Sequence, residues 1–120
     1  MGGEDLIWDR ITESAMSKFD FAAFQEEVAG VTGEENVAEN IVFMTIVGFA
    51  SGKDDNSVAE SIYNQIILSG FVWEFPVIEQ FVSGKKEIFK LEIYATNLAY
   101  SLLEETKDTS IVLTAVNQLL

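Results

Sequence analysis

Carboxylates are the only plentiful reactive side chains in this sequence: 20 Asp and Glu residues stand among 120 positions that contain no His and no Cys. Imidazole acid–base chemistry, thiol nucleophiles and thiolate or imidazole metal centres are therefore closed to it. An enzyme built from this chain would need either two cooperating carboxylates or a cation held by oxygen ligands. The spacing supports neither. The pairs Glu26/Glu27, Glu34/Glu35, Asp54/Asp55 and Glu104/Glu105 are sequence neighbours, and on a helix neighbours point about 100° apart. Glu35 and Glu39 share a face, but a carboxylate-bridged di-iron bundle also needs Glu-x-x-His pairs. The run Lys53-Asp54-Asp55-Asn56-Ser57 lacks the alternating acids, central Gly and terminal Glu of a calcium loop. Gly52-Lys53 continues into Asp54 with no upstream Gly at the phosphate-loop interval, and no Gly-x-Gly-x-x-Gly pattern occurs. The expectation is a protein without catalytic activity, metal or cofactor.

The same carboxylates define a charge distribution. The formal net charge is −13, and the first 35 residues hold nine acids against two bases. Such a surface repels phosphate backbones and anionic lipid, and it attracts basic partners over a Debye length of roughly 8–10 Å. Asp5, Asp9 and Glu13 recur every fourth residue, where like charges on a helix cost about 0.2–0.5 kcal/mol per pair and only Asp5 gains from the helix N-terminus. With Asp20, Glu26, Glu27, Glu34 and Glu35 they make a candidate anionic surface for a basic protein. The alternative is a solvated acidic face without a partner. Lys85, Lys86 and Lys90 form the one basic cluster, which the nearby Glu87 can neutralise.

The elements that must carry these residues read as helices, because Pro76 is the only proline and the glycines fall where helical periodicity breaks. A first helix is expected from Glu4 to about Phe19, with Ile7, Trp8, Ile11, Ala15 and Phe19 on one arc and Asp5, Asp9 and Glu13 on another. Asp20 can cap a short helix over 21–29 that ends at Gly30. Thr32 and Glu35 make a capping box for a helix over about 33–50, apolar nearly all round and so expected at the centre. Its β-branched run 41–49 leaves a buried strand as the alternative. Ser57 with Glu60 suggests a second capping box, opening a helix to Leu68 that Gly70 stops. Pro76 starts a short helical turn to Val82. A long helix over about 85–105 carries Ile88, Leu91, Ala95, Leu98, Ala99 and Leu102 on one stripe and Phe89, Ile93 and Tyr100 on a second. A last helix follows, capped at Asp108 or Thr109. The chain thus reads as one all-α domain over 1–120, a compact bundle of about six helices.

The longest apolar run, 41–50, is about half of the roughly 20 residues a spanning helix needs, and no basic leader followed by an apolar stretch opens the chain. No membrane association is expected, and the lack of Cys fits a reducing, cytoplasmic setting. Two functional readings follow. One is a protein-binding inhibitor of the immunity or anti-defence type, which neutralises a basic nuclease toxin or another nucleic-acid-processing enzyme and does not itself bind nucleic acid. The other is a non-catalytic assembly module that forms a homo-oligomer, such as a homodimer, through an apolar interface. Trp73, Phe89, Ile93 and Tyr100 are the candidates for that interface, with burial in the core as their alternative.

Overall fold

The computed structural model describes residues 3–18, 23, 35–70 and 73–120. Among them seven helices follow one another: α1 (Gly3–Met16), α2 (Glu35–Ala50), α3 (Asp55–Leu68), α4 (Phe75–Val82), α5 (Lys85–Ile88), α6 (Lys90–Thr106) and α7 (Thr109–Leu119). No strand occurs among the described residues, and 41–49 is helical within α2. The expected helix over 21–29, Ala23 apart, and the capping box at Thr32 lie outside the described residues.

Local chemistry sets the ends of these helices. Asp54 takes an extended backbone (φ −84°, ψ 173°), and its carboxylate accepts a 2.8 Å hydrogen bond from the Ser57 N–H. This corrects the expected capping box. Ser57 is the third residue of α3 and its N–H receives the cap, because the Asp54 carboxylate accepts the N–H that the Glu60 side chain would have taken in the expected box. The two hydrogen bonds from Ser57 also hold the Asp54 carboxyl below its ordinary range. Asp108 caps α7 in the same way, accepting from Ser110 N–H at 3.0 Å. Gly52, at φ +86°, takes the left-handed conformation that lets the chain reverse out of α2.

Helix α2 packs against α1, α3, α5 and α6, while α1, α6 and α7 pack on one another and α4 closes against α3. Its central position follows from its composition. Ile41, Val42, Ile46 and Phe49 are buried within an arc of about 140°, and Phe43, Met44 and Val47, on the rest of the circumference, are half-buried. Buried residues from α1 (Ile7, Ile11, Ala15), α3 (Val58, Ile62, Ile66) and α7 (Val112, Val116) join them in one contiguous core. Each such side chain contributes about 1.5–3 kcal/mol when fully buried.

The expected long helix spans its range with an interruption at Phe89, whose backbone (φ −95°, ψ 19°) leaves helical geometry for one residue and divides α5 from α6. Phe89, Glu92, Ala95, Thr96 and Ala99 face the core, whereas Ile88 and Leu91, expected on the inward stripe, are 45% and 39% exposed.

The closest approach between α2 and α3 depends on Gly48. A Cβ there would lie 2.8 Å from Val58 Cγ2 and 3.4 Å from Cγ1, and a β-branched side chain buried at 1% exposure has little freedom to turn away. Gly48→Ala should therefore lower stability by about 1 kcal/mol, since overpacking of about 1–3 kcal/mol outweighs a helix-propensity gain of about 1 kcal/mol. In a Val58→Ala background the same substitution should be neutral or stabilising. Denaturant unfolding of the four variants measures both effects.

Candidate functional site

Helix α1 has three stripes. At about 100° per residue, Ile7, Ile11 and Ala15 lie on one side, Asp5, Asp9 and Glu13 lie about 160° away, and Trp8, Thr12 and Met16 run between them. Each stripe meets a different environment. The first is fully buried, the acids are exposed, and the middle stripe is partly or mostly buried. Across from the middle stripe stands α2, presenting Glu39, Asn40 and Phe43. Together these residues line an open groove of about 720 Å³, within the roughly 300–1,000 Å³ of typical ligand sites.

The electrostatics of the groove follow from where the cations went. Four carboxylates, Asp5, Asp9, Glu13 and Glu39, line it together with no Lys or Arg. The two bases of the first third are engaged elsewhere. Arg10 Nε donates to Asn117 Oδ1 on α7 at 2.9 Å, and Lys18 pairs with Glu92. Among the described residues none of the four groove acids makes an ion pair.

The wall of the groove is aromatic. The Trp8 indole lies 6.1 Å, centroid to centroid, from Phe43 of α2 and 4.9 Å from Tyr100 of α6, tilted against each. One indole thus ties three helices together, at separations where aromatic pairs add about 0.5–1.5 kcal/mol. Past Asn40 and Phe43 the surface continues into a second hollow of about 470 Å³ between α2 and α3, lined by Ile41, Met44, Gln65, Ile66 and Ser69.

Of the candidate binding acids, Asp5, Asp9 and Glu13 come together on this rim. Asp20, Glu26, Glu27 and Glu34 lie outside the described residues, and so does the Glu35 side chain, although its backbone begins α2. The candidate apolar interface is divided. Trp73 and Phe89 are 5% and 0% exposed and belong to the core, which decides for burial against their candidacy as an external interface. Ile93 is partly buried against the core, and Tyr100, 47% exposed, covers Trp8. The exposed apolar face is instead Ile88, Leu91 and Tyr94, bordering a shallow groove of about 570 Å³ with Lys18, Glu87 and Lys90. In the basic cluster, the Lys85 ammonium sits 4.7 Å over the Phe81 ring, and burial pushes its pKa down. Among the described residues no group of three or more acidic residues is arranged to hold a metal ion.

Two residues are not singled out by the sequence. Thr12 is 8% exposed and lines the groove. Glu92 is fully buried, with Oε2 accepting from Ser14 Oγ at 2.6 Å and Oε1 from Lys18 Nζ at 2.9 Å. Its position three residues after Phe89 and four before Thr96 was the available signal, readable only once the phase of α6 is known. No family model, curated protein or solved structure matches the chain.

The pairing of Lys18 with Glu92 should be strongly coupled. Lys18→Met leaves a buried carboxylate beside one hydroxyl and should cost about 2–3 kcal/mol. The double variant Lys18→Met/Glu92→Gln should lose less than the sum of its single changes by about 1 kcal/mol or more. A thermodynamic cycle from urea unfolding measures the coupling, and additive losses would contradict it.

Proposed function

We propose that this protein is a non-catalytic inhibitor that binds a basic protein partner through the α1–α2 groove and covers the partner's cationic surface. The observation that carries this reading is the unneutralised rim: Asp5, Asp9, Glu13 and Glu39 border one groove while the neighbouring bases are committed to other contacts. Interactions between exposed charges gain little from a single pair, but a field of one sign over a concave surface accelerates association with an oppositely charged partner. The half-buried Trp8 and Phe43 supply apolar area of the kind that holds a complex once formed. A partner that handles nucleic acid, such as a nuclease toxin, carries the matching cationic groove. In this reading the chain acts in the cytoplasm as an immunity-type or anti-defence antagonist.

The test separates the location of charge from its amount. Asp5→Asn/Asp9→Asn/Glu13→Gln removes three charges from the rim, and Asp55→Asn/Glu104→Gln/Glu105→Gln removes three from exposed positions elsewhere. A basic protein captured by the parent chain at moderate salt should be kept by the second variant. The first should associate about tenfold more slowly and with a weaker salt dependence. Equal capture by both variants would reject the groove.

A second reading, a self-associating module, is favoured by the exposed Ile88, Leu91 and Tyr94 on α5 and α6. It requires an oligomer at micromolar concentration that Leu91→Lys converts to monomer. Light scattering over a concentration series decides, and a monomer in the parent chain disposes of this reading.

A further inference from the structure

Thr12 differs from every other buried polar side chain described. Among the described residues four are buried: Thr12, Thr45, Glu92 and Thr96. Thr45 and Thr96 donate their hydroxyls to the carbonyls one turn back, Ile41 O at 2.7 Å and Glu92 O at 2.9 Å, the usual way a helical Thr satisfies itself. Glu92 is met by Ser14 and Lys18. Among the described residues the Thr12 hydroxyl makes no hydrogen bond, although the residue is only 8% exposed, and it keeps its remaining accessible surface in the α1–α2 groove that it lines. Its hydroxyl is therefore open to a partner from the groove side instead of being satisfied one turn back, as Thr45 and Thr96 are. The site therefore holds a polar atom at the floor of a groove whose rim is anionic and whose wall is aromatic.

We infer that the groove receives an arginine side chain from the partner, with the guanidinium between the carboxylate rim and the Trp8–Phe43 wall and one N–H donated to Thr12 Oγ1. This rests on the reading of the groove as the binding face for a basic protein, and it names the group that face recognises. Two features select arginine over lysine, and a third suits the stem of either. The rim and floor offer acceptors at separate points, Asp9 and Glu13 on one edge, Glu39 on the other and Thr12 below, which suits a planar fork of five donors better than a compact ammonium. The aromatic wall suits a delocalised and weakly hydrated cation. The middle stripe of α1 is mostly apolar, through Trp8 and Met16, and so accommodates the methylene stem.

The test uses three capped pentapeptides, Gly-Ser-Xaa-Ser-Gly, in which Xaa is arginine, lysine or citrulline, the last matching arginine in shape without its charge. Titrated into isotopically labelled protein at low salt, the arginine peptide should shift the Trp8 indole, Thr12 and Phe43 signals. It should bind about fivefold more tightly than the lysine peptide, while citrulline shifts none of these signals at the same concentration. Thr12→Val should leave the melting temperature of the free chain nearly unchanged and weaken the arginine peptide about fivefold. Equal affinity for the arginine and lysine peptides, or undiminished binding by Thr12→Val, would overturn the arginine assignment. If the rim substitutions nonetheless slow capture of a basic protein, the functional reading survives that failure. If neither peptide binds and the rim substitutions leave capture unchanged, both fall together.

Discussion

Glu92 is the constraint around which the described helices are arranged. A carboxylate with no exposed surface is costly unless its oxygens are matched by donors. Both donors come from the C-terminal end of α1: Ser14 from its last turn and Lys18 from the turn beyond it. The same ammonium lies 3.5 Å from the Ile88 carbonyl, next to the interruption at Phe89. One rotation of α1 relative to α6 meets these requirements. That rotation also sends Ile7, Ile11 and Ala15 into the core, so the stripe Asp5, Asp9 and Glu13 must face away from it. The anionic rim is thus a geometric consequence of a polar contact on another part of the helix.

The extent to which this could be read from sequence follows the range of the interactions involved. Helix existence depends on patterns within a few residues, and α2, α3, α6 and α7 stand where periodicity puts them, with ends set by Asp54, Gly52 and Asp108. The three-residue error at the start of α3 arose between two local competitors for one N–H, Asp54 and a Ser57/Glu60 box, and local chemistry resolved it in favour of the carboxylate. The phase of α6 was not legible, because apolar residues occupy two adjoining stripes of it, and which stripe faces the core is set by the helices packed against it. Its consequences spread to Ile88, Leu91, Phe89 and Glu92 together. The acids of the rim were legible as a stripe, but the groove was not, since it needs Glu39, Asn40 and Phe43 of a helix separated from α1 by some twenty positions.

Trp8 illustrates how one side chain serves both packing and surface chemistry. Placed between the apolar and acidic stripes of α1, it is too large to be covered by one neighbour, and it contacts both Phe43 and Tyr100. That sharing fixes the spacing of α1, α2 and α6 at the groove. The wall next to the carboxylates is therefore braced from two other helices.

The separation of cations from anions on α1 has a consequence for motion in solution. With Arg10 turned to Asn117 and Lys18 drawn against Glu92, the helix carries a lopsided charge, and near a cationic body that asymmetry exerts a torque. The molecule tumbles freely until it comes within a screening length, and then swings so that its anionic flank leads. Rotational search, which ordinarily reduces the productive share of encounters to a small fraction, is shortened before any two atoms touch.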